Sequence, residues 1–131
     1  MRFNCRVINP GLARGEALVS RSSVSFLGDI NDEGIFTVGE LKGFCVAGKI
    51  LIFPFGRGST VGSYVLLKLK KRGVAPLAII NKESEPIIAI GAIIADIPLV
   101  DSVEEEFFST VKSGDNVYVN AVEGYVELYK P

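Results

Sequence analysis

The chain has 131 residues, of which 48% are hydrophobic, and its formal net charge is −1. This length suits one domain with a buried core, and we expect residues 1–131 to form a single domain. A chain without net positive charge lacks the electrostatic field that holds a nucleic acid. The longest apolar run, from Pro86 to Ala95, is too short to span a bilayer, and the N-terminal residues lack the apolar centre of a signal peptide. We therefore expect a cytoplasmic protein that binds neither nucleic acid nor membrane.

Two features of the composition restrict the chemistry. The sequence contains no histidine, which excludes Ser-His-Asp and Cys-His catalysis and imidazole metal sites. Its two cysteines, Cys5 and Cys45, are too few and too far apart to hold an iron–sulfur cluster or a structural zinc ion. We interpret both as buried free thiols and expect no metal bound by this chain alone. Any catalytic base must be a serine, carboxylate, lysine or tyrosine.

The N-terminal third predicts strands joined by a polar loop. Alternating apolar and polar residues predict a strand over 2–8, and a second strand is predicted over 15–20 and a short third over 35–38. The loop after the second strand carries four side chains able to bind a ligand, Ser22, Ser23, Ser25 and Asp29. It is either a surface connection or the rim of a binding cleft, and composition alone favours the surface connection.

The centre of the chain predicts a strand, a glycine turn and a helix. The apolar run 50–53 predicts a buried strand that Pro54 ends, and the turn GRGST follows over 56–60. Good N-cap residues at the end of this turn predict a helix over 61–72. Such a junction points unpaired backbone N–H groups and the positive end of the helix dipole at one place, where anions bind. Ser59 would lie at that place.

The rest of the chain predicts a mixed α/β domain with a central strand–turn–helix–strand crossover. An apolar strand over 76–80 completes the crossover, which makes the two strands parallel. Ser84, Glu85 and Pro86 predict the start of a helix over 86–95, although its five isoleucines also suit a strand. The remaining predicted elements are a strand over 98–101, a helix over 103–111 and a closing hairpin of strands over 117–120 and 125–129.

Three phrases of the sequence together carry a resemblance to a known family. They are GLARGEALVS with the following SVSFLGDIND, then GKILIFPFGRGSTVGSYVL, and last APLAIINKESEPIIAIGAIIADIPLV. On these phrases the chain resembles, over nearly its whole length, the small subunits of the aconitase X family, the swivel domains. The resemblance implies a swivelling domain of the β/β/α type with a strand-rich, barrel-like core.

The resemblance also implies a heterodimeric enzyme in which this chain is inactive alone. A large subunit would carry an iron–sulfur cluster, expected to be 4Fe–4S, and this chain would close over it as a lid. The implied reaction is a hydro-lyase step, the dehydration of (R)-5-phosphomevalonate to trans-anhydromevalonate 5-phosphate, in a modified mevalonate pathway to isoprenoids. The partners implied are therefore the large catalytic subunit and a phosphorylated small molecule.

The glycine turn would hold the catalytic residue. In aconitase-like enzymes a serine in this turn is the proton acceptor, and Ser59 is the matching residue. Ordinary aconitases continue with another serine and a carboxylate-binding arginine, whereas this chain has Thr60 and Val61, so the nearest cation is Arg57 upstream. We expect Arg57, Gly58 and Thr60 to bind substrate, with Gly58 allowing close backbone approach.

Two alternatives to this assignment stay open. From the residues alone, Ser59 is better interpreted as a plain N-cap that contributes about 0.5–2 kcal/mol to folding, and only the resemblance reverses that order. The second alternative is a non-catalytic module that binds a phosphorylated metabolite at the turn from Gly56 to Thr60.

Overall fold

The computed structural model describes residues 1–57 and 61–130, and within them the chain forms eight strands and four helices. The strands are β1 (Arg2–Asn4), β2 (Arg6–Asn9), β3 (Leu12–Val19), β4 (Lys49–Phe53), β5 (Ala78–Asn81), β6 (Leu99–Asp101), β7 (Asn116–Asn120) and β8 (Tyr125–Tyr129). The helices are α1 (Phe26–Asp29), α2 (Val61–Lys71), α3 (Pro86–Ala95) and α4 (Glu105–Thr110). The predicted mixed α/β class is confirmed.

All of these strands belong to one sheet whose two ends meet. The strand order is β1-β8-β7-β3-β4-β5-β6-β2, so β1 and β2 lie at opposite ends of the order. Only Cys5 separates these two strands in the chain, and its N–H donates to Gly124 O over 3.0 Å. The sheet therefore closes on itself, which confirms the barrel-like core. A single strand over 2–8 is wrong because its first half pairs with β8 and its second half with β6.

The centre of the sheet is parallel and is built from two crossovers. The predicted unit β4–α2–β5 is confirmed, since β4 and β5 are parallel neighbours, and β5–α3–β6 repeats it. Strand β3 also pairs with β4 in parallel. Residues 86–95 are a helix and not the alternative strand. Its N-cap is Glu85, whose carboxylate accepts hydrogen bonds from the N–H groups of Ile87 (2.8 Å) and Ile88 (2.7 Å).

Apolar side chains pack on both faces of the parallel strands. Within β4, Ile50 and Ile52 belong to the cluster inside the barrel, while Leu51 and Phe53 belong to the cluster between the sheet and the helices. All four are fully buried. A strand covered on both faces has no polar face, which is why the run 50–53 is continuously apolar.

Three details differ from the sequence-based expectations. The predicted strand over 35–38 is wrong, since the described residues there form only isolated bridges, Ile35 with Cys45 and Ile30 with Phe36. Part of the predicted loop is the short helix α1, whose N-cap Ser25 accepts a hydrogen bond from Gly28 N. Cys5 and Cys45 are free thiols but half-buried, and burial with the charge of Asp101 raises the pKa of Cys5 to about 11.

The helices are short compared with membrane-spanning helices. In the parts of the chain that the structure describes, no helix combines the length and the apolar character needed to cross a membrane.

Candidate functional site

Three parallel strands end side by side at one edge of the sheet. Strand β3 ends at Val19, β4 at Phe53 and β5 at Asn81. Ligands of sheets with parallel strands bind outside these carboxyl ends. Two cavities of about 180 and 100 Å³ open at this edge, and Ser20 lines both of them. This edge is the candidate site.

The smaller cavity contains an arginine held by a buried carboxylate. Arg57 donates from Nη2 to Asp29 Oδ2 over 2.9 Å and from Nε to Ser23 Oγ over 3.0 Å. Asp29 is 8% exposed, whereas the Arg57 side chain is 55% exposed. The guanidinium is therefore fixed on its inner side and accessible from the cavity. Ser22 also lines the cavity, so these loop residues form a cleft rim, while Ser25 caps α1 instead.

Glu40 also lines the smaller cavity, and no motif or spacing in the sequence pointed to it. Its Oε1 accepts hydrogen bonds from the backbone N–H groups of Arg21 (2.6 Å) and Ser22 (3.1 Å), and Ser20 Oγ lies 3.2 Å away. Arg21 and Ser22 precede Glu40 by 19 and 18 residues, so only the tertiary fold brings them into contact with it. No spacing rule links a single glutamate to backbone groups so distant along the chain.

The larger cavity lies between the carboxyl edge and α4 and contains two cations. Arg21 donates to the carbonyls of Phe108 (2.5 Å) and Val111 (2.7 Å), so its guanidinium joins the site to the end of α4. Lys82 donates from Nζ to Glu105 Oε1 over 3.2 Å and lies 5.4 Å from the centre of the Phe108 ring. Glu105 is mostly exposed, so this ion pair contributes little to stability.

Gly56 lies where the turn begins and has no room for a side chain. An ideal Cβ at this position would overlap the Ile88 side chain and lie 2.9 Å from Glu85 Oε1. The backbone on either side is fixed to the first loop, because Val24 N donates to Phe55 O (3.1 Å) and Arg57 N donates to Val24 O (3.0 Å). Gly56 is thus fixed by internal packing, whereas the close backbone approach expected at Gly58 lies outside the described residues.

Of the four predicted site residues, the structure describes one, Arg57. Arg57 lines the smaller cavity, whereas Gly58, Ser59 and Thr60 lie outside the described residues. Phe53, just before the turn, is fully buried and cannot contribute to a surface that binds a partner. Phe55 is 48% exposed.

A buried network anchors the segment that follows β5. Asp101 is fully buried and accepts hydrogen bonds from Arg6 Nε (2.8 Å) and Nη2 (2.7 Å) and from Ser84 N (2.9 Å) and Oγ (2.8 Å). Burial raises the pKa of Asp101, but the hydrogen bonds from Arg6 and Ser84 and the charge of Arg6 outweigh it. The pKa of Asp101 is therefore below its ordinary value. Ser84 binds this carboxylate instead of capping α3.

Asn81, the last residue of β5, is a buried amide at the same edge. Its Nδ2 donates to Phe53 O over 3.0 Å, which joins the ends of β4 and β5. Its Oδ1 is buried and has no hydrogen-bond partner among the described residues. A buried acceptor without a partner costs about 1–3 kcal/mol, so this edge is not optimised for stability alone.

An apolar groove of about 320 Å³ runs beside the first turn of α2. Its apolar lining consists of Leu27, Ile30, Val61, Tyr64 and Val65. Leu27, Val61 and Tyr64 are 51%, 53% and 64% exposed. Exposed large apolar side chains grouped in this way are typical of surfaces that bind a ligand or another protein.

The chain is similar to proteins of one family over nearly its whole length. A profile of the aconitase X swivel domain matches residues 2–128. The phosphomevalonate dehydratase small subunit of Archaeoglobus fulgidus is 62% identical over 130 residues, which cover 98% of each chain. That of Methanosarcina acetivorans is 54% identical over 134 residues, which cover 100% of this chain and 93% of the relative.

A solved structure is also similar. The crystal structure of Thermococcus kodakaraensis aconitase X in its holo form superposes with a TM-score of 0.93 at 50% sequence identity, and the match covers 99% of each chain. These comparisons confirm the resemblance on which the interpretation of the sequence depends.

Proposed function

The chain belongs to the aconitase X swivel domain family, and from that membership we propose that it is the small subunit of a two-subunit iron–sulfur hydro-lyase. The proposed reaction dehydrates (R)-5-phosphomevalonate to trans-anhydromevalonate 5-phosphate. The observation that carries the proposal is the full-length similarity to relatives named phosphomevalonate dehydratase small subunit. The carboxyl-edge cleft with its fixed arginine supports it, since an anionic substrate needs such a cation.

We assign the proton acceptor to Ser59. In the reaction its alkoxide takes a proton from C2, the carbon beside the substrate carboxylate, the C2–H electron pair forms the C2=C3 double bond, and the C3–O bond breaks to release hydroxide. The proton that Ser59 has taken and this hydroxide together make up the water that is lost. A hydroxyl becomes such a base only when its alkoxide is stabilised. The start of α2 contributes about 1–2 kcal/mol, and each pKa unit requires about 1.4 kcal/mol. Arg57 and the groups of the large subunit supply the remainder.

The iron–sulfur cluster belongs to the large subunit in this proposal. A 4Fe–4S cluster is held by about four thiolates, and this chain has two cysteines and no histidine. The residues that the structure describes contain no group of three or more metal-binding side chains. When bound by the large subunit, the cluster supplies a Lewis acid for the departing hydroxyl.

The groove beside α2 is the surface we assign to the large subunit. The relatives of this chain are named small subunits, which implies a larger partner. Val61, which lines the groove, follows the turn directly in the chain, so a partner that reaches the turn also covers the groove. The exposed apolar side chains of the groove would then be buried on assembly.

Reconstitution with a candidate large subunit tests the proposed function. We expect co-purification, the brown colour of an iron–sulfur cluster and dehydration of phosphomevalonate. Ser59→Ala should abolish turnover but keep assembly, whereas Ser63→Ala, four residues further along the chain, should retain turnover once its folding is checked by thermal denaturation. An active Ser59→Ala complex would exclude the assignment of the proton acceptor.

The same materials test the alternative of a non-catalytic binding module. Titration of the isolated chain with phosphomevalonate should show no tight, saturable binding if the site is completed by the large subunit. Tight binding without a partner, together with no turnover in its presence, would favour the module.

A further inference from the structure

An anion-binding cradle lies at the carboxyl end of β3, and Glu40 fills it in this structure. The backbone N–H groups of Arg21 and Ser22 both donate to Glu40 Oε1, over 2.6 and 3.1 Å. The Ser20 hydroxyl lies 3.2 Å from the same oxygen and 2.8 Å from Ser22 O, so its proton is available to either. Successive backbone N–H groups that converge on one oxygen form a concave site for anions.

We infer that this cradle is the subsite for the substrate carboxylate and that the Glu40 side chain competes with the substrate for it. The identity of the ligand rests on the proposed function, but the cradle itself does not. When the substrate carboxylate replaces the Glu40 carboxylate, it accepts the same charge-assisted hydrogen bonds from the backbone. Such bonds are about twice as strong as those between neutral groups.

The position of the cradle agrees with the chemistry. Glu40, Ser22, Ser23 and Arg57 line one cavity, so a carboxylate in the cradle shares that cavity with the exposed guanidinium of Arg57. The substrate carboxylate is bonded to C2, the carbon that loses its proton, whereas the phosphate is at the far end of the molecule. The subsite closest to the proton acceptor must therefore take the carboxylate, and Arg57 precedes Ser59 by only two residues.

Glu40 can leave the cradle without a rearrangement of the fold. The next residue, Leu41, is 6% exposed and holds the backbone of the loop in the core. Glu40 itself is exposed, so its release requires only rotation of side-chain torsions, which takes place in picoseconds to nanoseconds at exposed positions.

Nuclear magnetic resonance titration of the full 131-residue chain with acetate and with inorganic phosphate tests the inference. We expect Glu40→Ala to bind acetate at least tenfold more tightly than the wild type, because the tethered competitor is gone. The largest shifts should be those of the Arg21 and Ser22 amides, and acetate should bind more tightly than phosphate. Glu33→Ala removes another exposed carboxylate and should behave as the wild type.

Three results would overturn the inference: unchanged acetate affinity in Glu40→Ala, shifts that lie away from Arg21 and Ser22, or tighter binding of phosphate than of acetate. The dispersion of the amide spectrum checks that the variant is folded. If it is not, Glu40→Gln is used, for which a smaller gain in acetate affinity is expected. These measurements do not require the large subunit, so they test the cradle separately from the proposed function. If the isolated chain binds acetate at the cradle but its complex cannot dehydrate phosphomevalonate, the proposed function is rejected and the cradle is retained.

Discussion

Gly56 and Ile88 are in such close contact that a side chain at Gly56 would overlap the Ile88 side chain. Gly56 leads into the turn after β4, and Ile88 is 4% exposed in the first turn of α3. The contact fixes the distance between these two segments. Gly56→Ala should therefore lower the free energy of unfolding by about 1–3 kcal/mol, as overpacking does in well-packed cores. Urea denaturation of the isolated chain measures this change.

Gly62→Ala is the matched control for that variant. Gly62 lies within α2, and a Cβ there would be 3.8 Å from Ile87, an ordinary contact. Since alanine favours helices over glycine by about 1 kcal/mol, the control should be neutral or stabilising. Equal destabilisation by the two substitutions would contradict the interpretation of the Gly56 contact.

Arg57 should contribute to substrate binding more than to folding. In the reconstituted enzyme, Arg57→Gln should raise KM about tenfold or more, because a hydrogen bond to a charged group contributes about 1.5–3 kcal/mol. Asp29→Asn weakens the ion pair that orients Arg57 and should raise KM in the same direction by a smaller factor. Steady-state kinetics measures both effects.

Lys42→Gln is the control for Arg57. It removes an exposed cation from the loop next to Glu40 and should leave KM unchanged. A KM for Arg57→Gln no higher than that of this control would show that the guanidinium does not contact the substrate.

Leu27→Asp should weaken assembly with the large subunit. Leu27 is 51% exposed in the groove beside α2, so a charge there should leave the isolated chain folded but should be buried unfavourably in the complex. We expect the Kd measured by titration calorimetry to rise at least tenfold. Val122→Asp places the same charge at a 65% exposed apolar residue in the β7–β8 turn and should not change the Kd.

Two results would contradict this assignment of the groove. One is an unchanged Kd for Leu27→Asp. The other is self-association of the wild-type chain that Leu27→Asp abolishes in sedimentation measurements, which would assign the groove to a second copy of this chain.

The Asp101 network should make stability depend on acidic pH. The folded pKa of Asp101 lies below its unfolded value of about 3.9, so its contribution is complete above that pH and is lost as pH falls through the folded pKa. Asp101→Asn should lower the free energy of unfolding at pH 7 by about 1–3 kcal/mol. It should also reduce the loss of stability as pH falls below about 4, relative to the wild type.

Glu123→Gln provides the reference for these pH measurements. It changes an exposed carboxyl in the turn between β7 and β8 and should follow the wild-type curve. If Asp101→Asn also follows that curve, the network with Arg6 and Ser84 does not stabilise the fold through the charge of Asp101.

Local signals in the sequence were enough for several elements. Residues 86–95 form the predicted helix because Glu85 and Pro86 supply an N-cap and a suitable first residue. The crossover β4–α2–β5 followed from two apolar runs on either side of a helix with a basic end. The strand over 2–8 was only partly predicted, because alternation gives the strand but not the change of partner at Cys5.

The sequence by itself determined the elements whose cause is local, and three of its segments were enough to identify the family. Capping, apolar alternation and proline or glycine act within a few residues, so they can be identified without a partner. Only the tertiary structure decided which distant groups meet: Gly56 with Ile88, Arg57 with Asp29, and Glu40 with the amides of Arg21 and Ser22. These contacts depend on the closure of the barrel and on the edge shared by the parallel strands, and no pattern along the chain encodes the direction of a side chain across that edge.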